Sequence, residues 1–334
     1  MTKVELKLAN FVQRNIIVIG VIILTTVSLV LRWSCINYIS YVYRAAISMW
    51  IRAIKNYGGF YALKYNIGDY NVPYMFILAL LSYIPKDPLK LVKLVSIVFD
   101  YVGAIGIYSI VNIIDSKDKK WHSYLAYCIA IFLPTVIFNS AYWCQCDSIY
   151  CAFIIWSLFQ AIRGRYPSSI VLLTISFSFK LQAIFILPVF IILYFSNSKF
   201  SILDFLFAPI TYLIMIGPAL LIGRPLKDIF GIYFKQSSEY QSLTLHYPNL
   251  YIIVSGAYDT MRFFGIGIVI GLIGMIFVWI VYNKYHIEGF SIISLTMLII
   301  YICVYFLPGM HERYGYPLDL LSIVYAIEFP KRVP

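Results

Sequence analysis

The sequence predicts an all-α, polytopic membrane protein, and three observations carry that expectation. Apolar residues fill 61% of the 334 positions, charged residues only 12%, and the mean hydropathy is +0.83. A water-soluble domain carries about 25% charged residues, so half the usual charge is missing and lipid must surround most side chains. The apolar residues also fall in runs of the length a spanning helix needs, about 20 residues. Lysine and arginine outnumber aspartate and glutamate 26 to 15, a formal net charge of +11. In so apolar a chain that excess is expected in cytoplasmic loops and not on a nucleic-acid surface. Cys35, Cys128, Cys144, Cys146, Cys151 and Cys303 lie mostly within apolar stretches and form no Cys-x-x-Cys pair. Neither a zinc site nor a disulfide framework is therefore indicated.

Taken in chain order, Asn15 to Leu31 is the first span. It is too long for the core of a cleaved signal peptide, and Arg32-Trp33 follows it in place of a small-residue cleavage site. Lys3, Lys7 and Arg14 precede it, which places the N-terminus in the cytoplasm. Residues 33–71 are too polar to cross; within them Ile47, Trp50, Ile51 and Ile54 recur at helical spacing with Arg52, Lys55 and Asn56 opposite. That is the pattern of an amphipathic helix lying in the membrane interface, and Gly58-Gly59 ends it. Further apolar runs at roughly 72–85, 91–114, 123–138, 147–162, 168–196, 202–222, 261–282, 288–307 and 315–328 bring the total to about ten spans in one domain, 1–334. Pro73 suits the first turn of the second run. The run 168–196 holds Lys180 near its middle and reads either as one tilted helix or as two short ones meeting there. With Arg163 and Arg165 in the cytoplasm, the count disagrees with the N-terminus by one crossing. Residues 223–260 form a second polar loop carrying Tyr233, Tyr240, Tyr247 and Tyr251. Counted from the turn at Asn283 to His286, whose lone lysine suits the cytoplasm, this loop and the His311-Glu312-Arg313 segment share a face. On that count both, and residues 33–71, face outward.

Ionisable residues in or beside spans are costly, so each is a candidate site. His311-Glu312-Arg313 is the densest cluster: Arg313 offers a fork for phosphate and His311 a donor near neutral pH, while the plainer reading pairs Glu312 with Arg313 across a helix end. Lys180, flanked by apolar residues, requires an anionic partner, either a lipid-linked phosphate or one of Asp147 and Asp100. Gln145 and Asp147 place a carboxamide and a carboxylate at the mouth of a span, useful for hydroxyl-rich ligands; the plainer reading of Asp147 is a helix cap. Asp69 lies in a loop closing onto the next helix, and Asp100, alone in mid-span, reads as a packing hydrogen bond. No P-loop, Gly-x-Gly-x-x-Gly or His-Glu-x-x-His pattern is present, so neither nucleotide hydrolysis nor metalloprotease chemistry is supported and no metal is called for.

Gly58-Gly59-Phe60 with Tyr70-Asn71-Val72-Pro73-Tyr74, Asn139 to Trp143 with Gln145 and Asp147, Phe179-Lys180-Leu181-Gln182, Tyr247-Pro248-Asn249-Leu250-Tyr251 and Met310-His311-Glu312-Arg313-Tyr314 resemble, in that order, motifs of bacterial GT-C glycosyltransferases. The closest group is the mannosyltransferase-like one, similar to the eukaryotic GPI-anchor mannosyltransferases, and the likeness covers nearly the whole chain. It implies a GT-C-like helical bundle in a bacterial plasma membrane with its active face extracytoplasmic. It further implies an inverting transfer of a hexose from a polyprenyl-phosphate donor to a lipid-linked or cell-surface glycan. By the same likeness Lys180, His311 and Arg313 would hold the donor phosphate, with Trp143, Gln145, Gln182, Glu312, Tyr240 and Asn249 near sugar and acceptor. The group carries a Ser-x-Asp-Tyr pattern before the loop tryptophan; here it reads Ser40-Tyr41-Val42-Tyr43, with Val42 where the catalytic aspartate is expected. Valine accepts no proton, and general-base assistance is commonly worth about 10²–10⁴-fold in rate, which leaves Asp69 and Asp147 as substitutes. Cys144 stands where the group has glycine, and relatives continue with further apolar segments beyond the position of Pro334. Two competing readings are a lipid-linked-sugar binder or partner subunit without turnover, and a transporter using Lys180, Asp100 and Asp147 as a relay.

Overall fold

The computed structural model describes residues 1–115, 120–238 and 241–332. The all-α expectation holds: about 79% of the chain is helical. Fourteen α-helices follow one another. α1 (Lys3–Ser34) opens on a capping box between Thr2 and Glu5. After the first loop come α2 (Ser48–Asn56), α3 (Val72–Ser82) and α4 (Pro88–Ile114), the last capped by Asp87, whose carboxylate accepts from the Leu89 amide. α5 (Lys120–Phe132) bends by 49° into α6 (Pro134–Ile137) and the π-helical turn Phe138–Tyr142, where Pro134 has no amide hydrogen to continue the ladder. α7 (Asp147–Ile162), α8 (Tyr166–Phe179), α9 (Leu187–Ser196), α10 (Phe207–Leu221) and α11 (Leu226–Ser238) precede α12 (Tyr258–Tyr282), α13 (Phe290–Phe306) and α14 (Tyr316–Glu328).

Hydroxyl-to-carbonyl bonds set the helix directions. Ser176 donates to the Tyr150 carbonyl, and Ser157 and Ser169 each donate to the other's carbonyl, so α7 and α8 run antiparallel. Ser148 donates to Ser96 and the Trp156 indole to Val102, so α4 and α7 run parallel. Gly106 permits their close approach, since a Cβ there would meet Ile155 at 2.6 Å. Thr25 pairs with Tyr127 and Ser28 donates to the Ile131 carbonyl, which sets α1 parallel to α5.

Three expectations change. Among the described residues four helices, α1, α4, Ile202–Leu221 and α12, are long and apolar enough to cross a membrane, or five if the bent α5–α6 pair counts as one; the count of about ten is not reached by length. The other apolar helices have 10–17 residues; at 1.5 Å per residue they reach about 15–25 Å, short of the ~30 Å hydrocarbon core. Second, the run 72–85 does not traverse the bundle. α3 starts at the first loop and ends at Tyr83, whose hydroxyl donates to the Gly58 carbonyl and accepts from the Phe60 amide, so both its ends stay with that loop. Of the two readings of the run 168–196, the structure has the second, two pieces broken at Lys180, whose backbone is extended. Third, α2 is amphipathic as its spacing predicts, but Ile47, Ile51 and Ile54 are buried in the protein core against α3 and α4, so protein and not lipid covers its apolar face.

The charge excess is not confined to one end. Arg52, Lys55 and Lys64 flank the first loop, while Arg163, Arg165, Lys199 and Lys284 sit in turns at the opposite end. All six cysteines are free thiols.

The loop before α3 depends on Gly68. Its φ is +71°, and a Cβ there would lie 2.5 Å from the Trp50 ring. Gly68→Ala is therefore expected to destabilise the protein by about 1–3 kcal/mol, read as a lower midpoint of thermal unfolding in detergent.

Candidate functional site

Asp147 opens α7 three residues after Cys144, a residue with φ of +60°, the left-handed conformation that glycine adopts without cost. Asp147 is not a helix cap: Cys146 holds that position, and the carboxylate reaches across the bundle instead. One oxygen accepts from the Lys180 ammonium; the other accepts from the Asn139 amide at 2.8 Å and lies 3.6 Å from Arg313 Nε. Lys180 is placed by the break between α8 and α9, and Arg313 by the short turn between α13 and α14. Asp147 is fully buried and Lys180 nearly so. In such a medium a charge is tolerated only beside its opposite; Asp147 faces two cations, and Arg313 Nη1 also lies 3.8 Å from the exposed Glu312 carboxylate.

Aromatic rings close the cluster. The Lys180 ammonium sits 5.2 Å from the centre of the Tyr70 ring and 5.8 Å from that of Tyr150, a cation–π arrangement on two sides. Tyr70 donates to Gln145 at 3.2 Å and packs edge-on against Trp50. Residues from the first loop, the start of α7, the α8 break and the α13–α14 turn thus meet at one end of the bundle.

Beside them lies a cavity of about 250 Å³. Gln182, Gln236, Arg262 and Tyr314 form its polar walls, and Phe185, Ile184 and Ile266 its apolar side; the last two are exposed on the outside of the bundle. The two polar loops meet at its rim. Lys235 bonds Asp69 at 2.5 Å, Gln236 donates to the Asp69 carbonyl, and Arg224 donates to Asn66. Thr244–Leu245 pairs with Met310–His311 in a two-residue parallel ladder. These contacts place residues 33–71, 223–260 and 311–313 on one face, as the crossing count predicts.

The candidates therefore separate. Gln145, Asp147, Lys180 and Arg313 come together, and Gln182 lines the adjoining cavity. Asp69 stands at the rim. His311 belongs to the ladder that ties the second loop down, 3.7 Å from Glu312; its ring holds the Glu312 carboxyl below the ordinary glutamate range. Glu312 is exposed beside Arg313, at 3.8 Å. Asn249 is buried and holds its own loop: its carboxamide oxygen accepts from Tyr251 and its nitrogen faces the Leu243 and Leu307 carbonyls. The Trp143 ring is on the surface while its carbonyl accepts from Ser40, the residue two before Val42. Val42 opens the π-helical turn Tyr43–Ile47 and is partly buried at the edge of the core. Tyr240 lies outside the described residues. Asp100 is not alone: it accepts from Arg32 Nε at 2.9 Å and from Ser140 at 2.5 Å, so Lys180 takes Asp147 and not Asp100 as its partner.

Sequence reasoning missed three contributors. Arg32 was visible only as the residue ending the first span, although a buried Asp100 four helices' worth of sequence away called for a cation. Tyr150 and Arg262 carry no local signal, because neither breaks the apolar pattern around it in a way that names a partner.

The burial difference between the two aspartates has a measurable consequence. Asp147→Asn leaves the buried Lys180 without its carboxylate and is expected to cost about 3–5 kcal/mol. Asp69→Asn, at an exposed pair, is expected to cost at most about 1 kcal/mol; chemical denaturation of both variants in detergent checks the contrast. No protein-family model and no curated protein sequence matches this chain, so its site is read from its own geometry.

Proposed function

We propose that this protein is a membrane glycosyltransferase of the GT-C kind that moves a hexose from a polyprenyl-phosphate donor to a lipid-linked or cell-surface glycan with inversion. The convergence of Tyr70, Gln145, Asp147, Lys180 and Arg313 beside a cavity with an apolar outer side is the observation that carries the reading. Two cations beside the cavity, with Arg262 on its wall, suit a lipid phosphate. The cavity's apolar side suits a chain, and its amide and phenol groups suit sugar hydroxyls. In the transfer, an acceptor hydroxyl attacks the anomeric carbon while the bond to the phosphate oxygen breaks, and negative charge grows on that phosphate. Lys180 and Arg313 stabilise it where it develops. Asp147 orients the two cations; with three partners it is a positioning group and not the base.

The helix directions support about ten crossings in this reading. α3 is left out and 168–196 counts twice, so α1, α4, α5 with α6, α7, α8, α9, α10, α12, α13 and α14 cross. The N-terminus then shares a side with Arg163 and Arg165, the site faces the other side, and the conflict of one crossing disappears. We place the site on the extracytoplasmic face of a plasma membrane.

A second reading, a lipid-linked-sugar binder or partner subunit without turnover, is favoured by Val42 at the position of the expected base together with the engagement of Asp147. A transporter has less support, because the polar groups gather beneath loops at one end of the bundle.

Purified protein incubated with polyprenyl-phosphate hexoses and a lipid-linked acceptor separates these readings. Transfer by the native chain, lost on Lys180→Ala, supports the enzyme. No transfer by the native chain but transfer by Val42→Asp, with a gain within the ~10²–10⁴ range of general-base assistance, supports the binder. Product from neither overturns the donor class.

A further inference from the structure

The end of the bundle remote from Asp147 holds a second polar cleft. Three connections meet there: the α7–α8 turn, the segment after α9 and the α12–α13 turn. His286 Nδ1 lies 2.8 Å from the Ser196 carbonyl, and Tyr166 stacks on Phe200 at 4.3 Å, which fixes the three against one another. Between them is a cavity of about 200 Å³ lined by Arg163, Tyr166, Ser198, Lys199, His286 and Glu288.

Its electrostatics are unbalanced. The Glu288 carboxylate lies 3.7 Å from His286 Nε2, whereas neither Arg163 nor Lys199 forms an ion pair among the described residues. Arg163 rests on the Phe159 ring, 5.4 Å from its centre, with its guanidinium otherwise presented to the cleft. Two cations against one carboxylate leave a formal +1 when His286 is neutral. That surplus matches a phosphodiester, which carries a single negative charge, better than a phosphomonoester.

The surroundings fix the depth of this cleft. Trp279 packs against Tyr285 with centroids 4.7 Å apart, and both rings, with Tyr282, are exposed at this end of α12. Exposed tryptophan and tyrosine at a helix end mark the headgroup level of a bilayer, and basic pockets between helices at that level take anionic headgroups. Phe195, Ile202 and Leu203 lie exposed nearby and offer an apolar surface to acyl chains.

We propose that this cleft binds the phosphodiester headgroup of an anionic phospholipid, with Arg163 and Lys199 on the phosphate and Glu288 limiting the site to one negative charge. The site is independent of the transfer reaction at the other end and requires only that the bundle sit in a bilayer.

Native mass spectrometry of the full chain, released from micelles containing equal phosphatidylglycerol and phosphatidylcholine, tests this. The native protein is expected to retain phosphatidylglycerol about tenfold over phosphatidylcholine, a ratio worth one charge-assisted contact. The double variant Arg163→Gln, Lys199→Gln is expected to bring the ratio near unity. Glu288→Gln, which keeps the cleft folded should the double variant fail, is expected to raise retention. Equal retention of the two lipids by the native chain, an unchanged preference in the double variant, or no gain on Glu288→Gln overturns the site. Displacement of phosphatidylglycerol by excess inorganic phosphate overturns the lipid as its source and assigns the cleft to a soluble phosphate.

Discussion

The structure depends on one buried carboxylate. Asp147 must be matched by Lys180 and Arg313 because Asp147 and Lys180 are buried and Arg313 is mostly so, and ions taken out of water cost several kcal/mol each unless their partners are in place. The partners come from distant parts of the chain. α7 supplies the acid, the break after α8 the lysine, and the turn after α13 the arginine, so the charge requirement can be met only when all three segments have docked. The first loop is drawn in by the same cluster, through Tyr70 on the Lys180 ammonium and its bond to Gln145.

A second pair repeats the device. Arg32 and Asp100 join α1 to α4, with Ser28 and the Ile131 carbonyl accepting from Arg32 Nη1 and Ser140 donating to Asp100 Oδ2. α4 and α7, which carry the two acids, lie parallel and close through Gly103 and Gly106. The two ion pairs therefore sit on one rigid unit, and the short helices around it are held by specific polar contacts where their own length in lipid would not hold them. That is a physical reason why a bundle with only four or five full-length apolar helices still assembles around a polar site.

Hydropathy made the fold class legible, because it reports what surrounds a side chain. It does not report where a segment's ends go. The run 72–85 is apolar because α3 is buried among protein, and its failure to cross is decided by Tyr83 meeting Gly58. The spacing of Ile47, Ile51 and Ile54 shows that α2 has an apolar face but not that α3 and α4, in place of lipid, cover it. At the site, ionisable residues in apolar runs stood out as candidates, while their pairing did not: Lys180 had two equally plausible acids, and only tertiary geometry selects Asp147. Asn249 shows the opposite limit. Its residue type suits sugar binding, yet its carboxamide is engaged in closing the second loop.

The engagement of Asp147 bears on how any transfer would proceed. A carboxylate that already accepts from Lys180 and Asn139 and faces Arg313 is a poor proton acceptor, and what its network offers a substrate is positive charge. Such a site lowers the barrier by stabilising a departing phosphate, an electrostatic effect that needs fixed donors and no titration. Proton removal from an acceptor hydroxyl would then fall to the rim, where Asp69 is partly exposed, held by Lys235, and adjacent to Gln236 on the cavity wall. In the proposed reading the inner part would hold the departing phosphate and the outer part would meet the acceptor. Val42, two residues from the Ser40 contact with Trp143, packs at the edge of the core and supplies no charge.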